Sequence, residues 1–303
     1  MAARGMRRRY VLERKGVLAT LLTAPAVLFI GLLVGAPLGL AIYLSFTDAI
    51  AGSLSGKWIG LANYRSALND PIFRSALWNT VVFTVISQAI VIVCAGLLAH
   101  ALIRSFRGRW FIRFLILLPW AAPIALTAIG FLWFYDPQAS IFTWFLIHLH
   151  LVDPANPPNW LGTPRAAMSS IITVQAWRIL PFATVIFLAG ISSIPQEVDD
   201  AAAIDGATGL KKFWYVSLPL QLPIAIVAVL FGIVFTATDM IVPYILTNGG
   251  PFNSTQVLTT YAFQTGINAG NIGEGAAIAL FMLPLLAGVT IAMLFFARRA
   301  EVT

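Results

Sequence analysis

Pro195-Gln-Glu-Val-Asp-Asp200-Ala-Ala-Ala-Ile-Asp205-Gly206-Ala-Thr-Gly-Leu-Lys-Lys-Phe213-Trp-Tyr-Val-Ser-Leu-Pro219 is a polar island between two long apolar runs, and it has an internal plan. Pro195 suits the first turn of a helix, where its missing N–H would lack a partner anyway. Glu197, Asp199 and Asp200 set negative charge at the positive end of that helix. Asp205-Gly206 ends it, because glycine takes the backbone angles that helix termini need. A second short amphipathic stretch follows, with Phe213, Trp214 and Val216 among Lys211 and Lys212, until Leu218-Pro219 opens the next apolar run. The pattern predicts a small helix-turn-helix knob held rigidly at a membrane surface.

The flanking runs define the rest of the fold. Of 303 residues, 59% are hydrophobic and 10% charged, with a mean hydropathy of +0.86. A soluble domain carries about 25% charged residues, so this composition excludes one. A helix needs about 20 apolar residues to cross a bilayer. Six runs qualify, at Val17–Ser45, Trp78–Ile103, Phe114–Tyr135, Ala166–Ile194, Pro219–Leu246 and Gly275–Phe296. The fold class is therefore all-α and polytopic, with six transmembrane helices. The first run follows Arg7, Arg8 and Arg9 as a signal peptide would. It is far longer than the 7–15 apolar residues of a signal core, so it reads as an anchor.

Cation placement sets the orientation. With the N-terminus inside, the inner segments hold Arg4, Arg7, Arg8, Arg9, Arg14, Lys15, Arg104, Arg107, Arg109, Arg113, Lys211, Lys212, Arg298 and Arg299. The outer loops hold Lys57, Arg65, Arg74 and Arg165, and fourteen against four predicts that both termini are cytoplasmic. The net charge of +7 thus reports orientation and contact with anionic lipid; no nucleic-acid partner is indicated. The chain divides into a basic tail (1–16), a first transmembrane helix (17–46), an extracytoplasmic loop (47–77), a core of spans (78–297) carrying the knob at 195–218, and a tail (298–303). The outer loop near 136–165 is rich in Pro and Asn and reads as ordered turns or a short re-entrant hairpin without a core of its own. No internal repeat is evident, so an inverted-repeat transporter is not supported.

Catalytic and metal signatures are missing from the sequence. Cys94 lies alone within the second run and reads as a small packing residue. His100, His148 and His150 form no metal set, and no CxxC, HExxH, phosphate-binding glycine loop or GxSxG occurs. Hence no enzyme activity, catalytic residue, metal or cofactor is expected of this chain.

The knob resembles a segment of a known family, the integral-membrane permeases of ATP-binding-cassette (ABC) importers, in the maltose-type sugar branch. Members carry a cytoplasmic "EAA" loop of form Glu-Ala-Ala-x-x-Asp-Gly-Ala, then an aromatic and a Leu-Pro. Asp200-Ala201-Ala202-Ala203-Ile204-Asp205-Gly206-Ala207 matches, with Phe213 and Leu218-Pro219 correctly spaced. Asp200 stands where the pattern has Glu, keeping the charge on a side chain one methylene shorter. Trp177-Arg178-Ile-Leu-Pro181-Phe182 resembles the fourth span of that branch. Asp239 and Leu246-Thr247-Asn248-Gly249-Gly250-Pro251 resemble its fifth span and the exit from it. The resemblance implies a type I ABC importer permease fold in a bacterial inner membrane. It implies a second, paralogous permease subunit, two cytoplasmic ATP-binding subunits that bind the ATP, an extracytoplasmic solute-binding protein and a sugar substrate. It also implies that Asp200, Ala201, Ala202, Asp205 and Gly206 belong to a helix seated on an ATPase subunit. Glycerol phosphate or another small solute is the alternative cargo. A gradient-driven secondary transporter is a weaker alternative, since it would leave the knob without a role.

Two charges fall inside spans. A mid-membrane charge costs about 2.5–3.5 kcal/mol on insertion scales and faces the bundle interior. Arg178 stands about 24 Å from the inner end of its span and Asp239 about 30 Å, at 1.5 Å per residue. The depths differ by about one helical turn, so the two can pair. Either they are structural, or they line the solute path with Gln175, Trp177, Tyr244 and Asn248. Those side chains offer the planar hydrogen-bonding groups and ring faces that a sugar needs. Pro119, Pro123, Pro181, Pro223, Pro243 and Pro284 are expected to kink or end helices. Trp78, Trp110, Trp133, Tyr135 and Trp144 are expected to form interfacial belts.

Overall fold

The computed structural model describes residues 15–53, 55–103, 105–138, 140–207 and 209–302. The expected N-terminal tail through Arg14, and Arg104, lie outside the described residues. Among the described residues five helices are long and apolar enough to cross a membrane, and a bent pair makes a sixth candidate span.

α1 (Leu18–Ser45) contains a π turn at Gly31–Gly35 and stands almost clear of the bundle until its outer end. α2 (Ala62–Asn69) is followed at once by α3 (Pro71–Ile103), so the second span begins seven residues before the expected Trp78. α4 (Arg109–Ala121) and α5 (Ile124–Phe134) make up the third span, α6 (Ile141–His148) lies in the outer loop, and α7 (Pro164–Ser192) is the fourth span. α8 (Gln196–Ile204) is the first helix of the knob. α9 starts at Gly209–Lys212, passes through a π turn at Phe213–Ser217 and runs on through Leu218–Ala237. α10 (Ile241–Thr247), α11 (Leu258–Phe263), α12 (Ile272–Leu280) and α13 (Met282–Val302) complete the chain.

The third span is not the single rod that continuous hydropathy over Phe114–Tyr135 suggested. It bends by 98° between α4 and α5. Proline locks its own φ and pushes the preceding residue into extended backbone. Ala122 accordingly sits at φ −72°, ψ 139° and Pro123 at φ −57°, ψ 122°, which breaks the helix.

The fifth span is interrupted as well: α9 stops at Ala237 and α10 resumes at Ile241. Asp239 is therefore in a break, not inside a helix. Beyond Asn248 and Gly249, at φ +46° and +83°, the chain turns and re-enters the bundle. Thr259 Oγ1 donates to the Asp239 carbonyl at 3.0 Å, which brings α11 back to the depth of the break. Residues 248–271 are thus a re-entrant hairpin, not anticipated from the sequence. Several of its polar groups are answered by the spans: Asn79 Nδ2 donates to the carbonyls of Ser254 and Gln256, each at 3.0 Å, and Leu258 N donates to Thr80 Oγ1 at 2.9 Å.

One further expectation changes. Tyr135 is 3% exposed and belongs to the outer core with Phe83, Ile171 and Val242, so it is no belt residue. Phe142, Trp160 and Leu161 of the outer loop pack on that same core, so the loop is anchored through it.

α3 and α7 form the spine of the bundle and pack along much of their length. Lipid tails are as apolar as leucine, so helix association in a membrane relies on close packing and polar contacts more than on apolar burial. The inner core follows that rule, with Ala95, Ala99, Ala176, Ala183 and Ala228 letting the backbones approach. Backbones also meet closely between α11 and α12, where a Cβ on Gly275 would lie 2.4 Å from the Gly266 Cα. Gly275→Val should therefore destabilise the detergent-solubilised protein by about 1–3 kcal/mol, the usual cost of overpacking. Gly39→Ala, where a Cβ meets nothing within 4 Å, should leave the unfolding midpoint unchanged. Equal midpoints for both variants would contradict this packing.

Candidate functional site: a buried ion pair joined to a surface helix

α7 and α9 are the two arms that leave the knob. Between them, near the middle of α7, Arg178 Nη2 meets Asp239 Oδ2 at 2.5 Å, with side-chain exposures of 15% and 2%. The break after Ala237 makes this possible. Asp239 takes the position before a helix start, where Oδ1 accepts from the backbone N–H of Ile241 (2.8 Å) and Val242 (3.2 Å). One carboxylate thus caps α10 and neutralises Arg178 together.

Arg178 Nε and Nη2 also donate to Gln175 Oε1, at 3.3 and 3.1 Å. Gln175 Nε2 in turn donates to Thr236 Oγ1 at 3.3 Å, and Gln88 Nε2 donates to the same oxygen at 2.9 Å. Gln175 and Thr236 are fully buried and Gln88 is 4% exposed. The network therefore ties α3, α7, α9, α10 and α11 at one depth. Gly232 makes room for it, since a Cβ there would lie 2.2 Å from Gln88 Oε1.

Of the residues the sequence singled out, Gln175, Arg178 and Asp239 come together. Trp177 points elsewhere: it is 39% exposed and meets Phe131 edge-on at 5.3 Å. Tyr244 packs edge-on against Phe263 at 5.3 Å. Asn248 closes α10, with its Oδ1 and carbonyl accepting from Gln264 Nε2 at 2.9 and 3.1 Å. Sequence reasoning missed Gln88, Gly232 and Thr236, which carry no charge and sit in apolar runs. It also missed an aromatic group beside the network. Trp120 stacks on Phe182 at 5.1 Å, and Phe235 lies 5.5 Å from Phe182 and 5.7 Å from Trp120.

The knob itself has the expected first half. Pro195 precedes α8 in extended backbone, and Glu197 and Asp199 fall in its first turn. The helix ends at Asp205, with Gly206 at φ +71°. Gly206 N donates to the Ala203 carbonyl at 3.1 Å and Ala207 N to the Ala202 carbonyl at 2.8 Å, a Schellman closure that needs the left-handed residue. Ala202 and Ala207 are buried, while Asp200, Ala201, Asp205 and Gly206 are exposed. Ile204 is 87% exposed.

The second half differs from expectation: it is no separate helix, because α9 begins at Gly209 and passes Pro219 without a break. The π turn at Phe213–Ser217 widens the backbone just before Pro219, where the ring would otherwise crowd the preceding turn. A salt bridge closes the knob, from Lys212 Nζ to Asp199 Oδ1 at 2.9 Å, whereas Asp200 Oδ1 accepts from Gln196 Nε2 at 3.1 Å. At one-third exposure the bridge contributes about 0–1 kcal/mol. Phe213 adds a firmer seat by meeting His100, at the inner end of α3, edge-on at 5.0 Å.

Among the described residues, five or six candidate spans, a broken fifth span and a short helix standing off the ends of two spans define a polytopic membrane protein. Residues 92–302 match the family described as binding-protein-dependent transport system inner membrane component, and the chain belongs to it. It is 31% identical over 275 residues to the sulfoquinovosyl glycerol transport system permease protein SmoG of Agrobacterium fabrum, covering 90% of this chain and 88% of that one. It is 33% identical over 237 residues to the trehalose/maltose transport system permease protein MalF of Thermococcus litoralis, covering 78% and 79%. The sn-glycerol-3-phosphate transport system permease protein UgpA of Brucella abortus is 29% identical over 276 residues, covering 90% and 92%. Its fold is shared with a bacterial ABC transporter involved in alginate import, at a TM-score of 0.80 and 19% identity over 97% of this chain and 99% of that one. The protein is thus a permease subunit of an ABC importer with no enzymatic role of its own.

Removing one member of a buried ion pair strands the other charge, at a cost of about 3–5 kcal/mol. Asp239→Asn and Arg178→Gln should each lower the stability of the purified protein by that order, and the double variant should lose less than the two combined. Additive losses in thermal unfolding would show that the pair is not coupled.

Proposed function

We propose that this chain forms half of the translocation pathway of an ATP-driven sugar importer in a bacterial inner membrane, with both termini cytoplasmic. Its partners are a second, paralogous permease subunit, two cytoplasmic ATP-binding subunits and an extracytoplasmic solute-binding protein.

One observation carries this reading: the two helices that flank α8 are the two that lead to the ion pair. α7 brings Arg178 and α9 leads to Asp239. A push on α8 from a closing pair of ATPases therefore reaches both sides of the network through stiff helices. α8 with Asp200, Ala201, Ala202, Asp205 and Gly206 is the surface that receives it, and exposed Ile204 is its apolar anchor. Such a rigid-body motion separates or closes α7 against α10, so that Gln175, Arg178 and Asp239 act as a gate at mid-membrane.

The chemistry at that depth favours a neutral sugar. Arg178 is already balanced by Asp239 at 2.5 Å, so the pair offers hydrogen bonds without net positive charge for a phosphate. Trp120, Phe182 and Phe235 provide ring faces for sugar C–H surfaces beside it. Tyr244 and Asn248 line the outer approach, whereas Trp177 faces away from it. The relatives that carry trehalose or maltose and sulfoquinovosyl glycerol support the sugar class, whereas the glycerol phosphate relative supports the alternative cargo.

Proline cannot take φ +71°, so Gly206→Pro dissolves the closure of α8 while touching nothing in the spans. In vesicles holding the assembled transporter, ATP-driven uptake of the radiolabelled sugar should fall to background, with the subunits still co-purifying. Uptake at the normal rate would contradict the coupling role. Calorimetric titration of the partner binding protein with a panel of sugars and with glycerol 3-phosphate names the cargo. Binding of glycerol 3-phosphate alone would overturn the sugar assignment.

A further inference from the structure

A cavity of about 920 Å³ lies between α5, α6 and the outer half of α7, on the opposite side of Trp177 from the ion-pair network. It exists because the 98° bend swings α5 away from α7, leaving a wedge-shaped gap in the outer leaflet. One wall is a stripe on α7 spaced every four residues, Arg165, Ser169, Thr173 and Trp177, all exposed. The facing wall is aromatic, with Phe131, Phe134, Phe142 and Trp160.

Most of the side-chain hydroxyls lining this cleft already bond within the protein. Ser169 Oγ donates to the Arg165 carbonyl at 2.9 Å and Thr173 Oγ1 to the Ser169 carbonyl at 2.8 Å. Trp160 Nε1 donates to Thr143 Oγ1 at 2.8 Å. A sugar, whose many hydroxyls each need a partner, would be poorly served here, while a hydrocarbon chain loses nothing by entering. Arg165 is the exception: its guanidinium makes no salt bridge among the described residues and stands at the outer rim. The stripe from Arg165 to Trp177 is about 18 Å long at 1.5 Å per residue. One leaflet of hydrocarbon is about 15 Å thick, so the cleft spans the outer leaflet with its cation at headgroup height.

We propose that this cleft is a binding site for a phospholipid of the outer leaflet. Its phosphate pairs with Arg165, and one acyl chain lies between α5 and α7 with its end against Phe131 and Trp177. Bound there, the lipid braces α5 against Trp177, one residue away from Arg178, and its acyl chain fills the gap that the proline elbow opens. Arginine and phosphate pair in a bidentate fork, which fixes the headgroup as well as attracting it.

The assembled transporter, reconstituted in phosphatidylcholine vesicles doped with phosphatidylglycerol bearing a photoreactive acyl chain, tests this directly. After illumination, peptide mapping should place labels on Phe131, Phe134 and Trp177 at several-fold the density found on Val85, Val93 and Leu97, which face outward on α3. Arg165→Gln should cut the cleft labelling severalfold and leave the α3 labelling unchanged. Thr173→Leu, which fills space without altering charge, should also reduce it. Labelling of the cleft no denser than that of α3, or labelling indifferent to Arg165→Gln, would overturn the site. So would a short-range protein crosslink from Trp177 to another subunit, because the cleft would then be a subunit contact.

Discussion

Everything in the outer half of the bundle is organised around the contact between Arg178 and Asp239. A guanidinium at the middle of a span is tolerated only when a partner neutralises it and its remaining N–H groups are satisfied. Here the partner is supplied by breaking the fifth span, so that Asp239 can leave helical register and reach across at 2.5 Å. Breaking the span strands the first N–H groups of α10, and the same carboxylate accepts two of them. Charge, cap and hairpin are therefore one device. The Asp239 carbonyl, freed by the break, receives Thr259 and so fixes the depth to which the re-entrant segment returns.

The inner half obeys a different constraint. Little free energy is available from apolar burial between helices that already sit in lipid, and so close approach of small residues holds α3, α7 and α9 together. That gives stiff, continuous arms between the knob and the ion pair. At their inner ends the Schellman closure at Gly206, the His100–Phe213 contact and the π turn before Pro219 replace what would otherwise be a flexible loop. A stiff peg on two stiff arms transmits displacement, whereas a slack one would absorb it.

Much of this was legible in the residues. Six apolar runs, the acidic start and glycine stop of α8, and the matched depths of Arg178 and Asp239 follow from period, rise per residue and charge. The elbow in the third span was expected at Pro123, but the size of the bend was not, because hydropathy is unbroken on either side. The re-entrant hairpin was illegible because Thr255 and Gln256 look like loop residues: they are fully buried, and the loop's carbonyls are answered by Asn79 on a distant helix. Gln88 and Thr236 gave no signal for the same reason, since neutral hydrogen-bonding side chains in an apolar run announce a partner without saying where it lies. Pro219 misled in the other direction, as a π turn let the helix run through it.

The central claim is that motion of α8 opens and closes α7 against α10 at the ion pair. Spin labels on Ser169→Cys and Phe252→Cys, in a Cys94→Ser background, report that separation by pulsed electron resonance in the reconstituted transporter. The account predicts two distance distributions, one without nucleotide and one with ATP trapped by vanadate, and a single unchanging distribution when Gly206→Pro is added. A nucleotide-dependent shift that survives Gly206→Pro, or no shift in its absence, would contradict it.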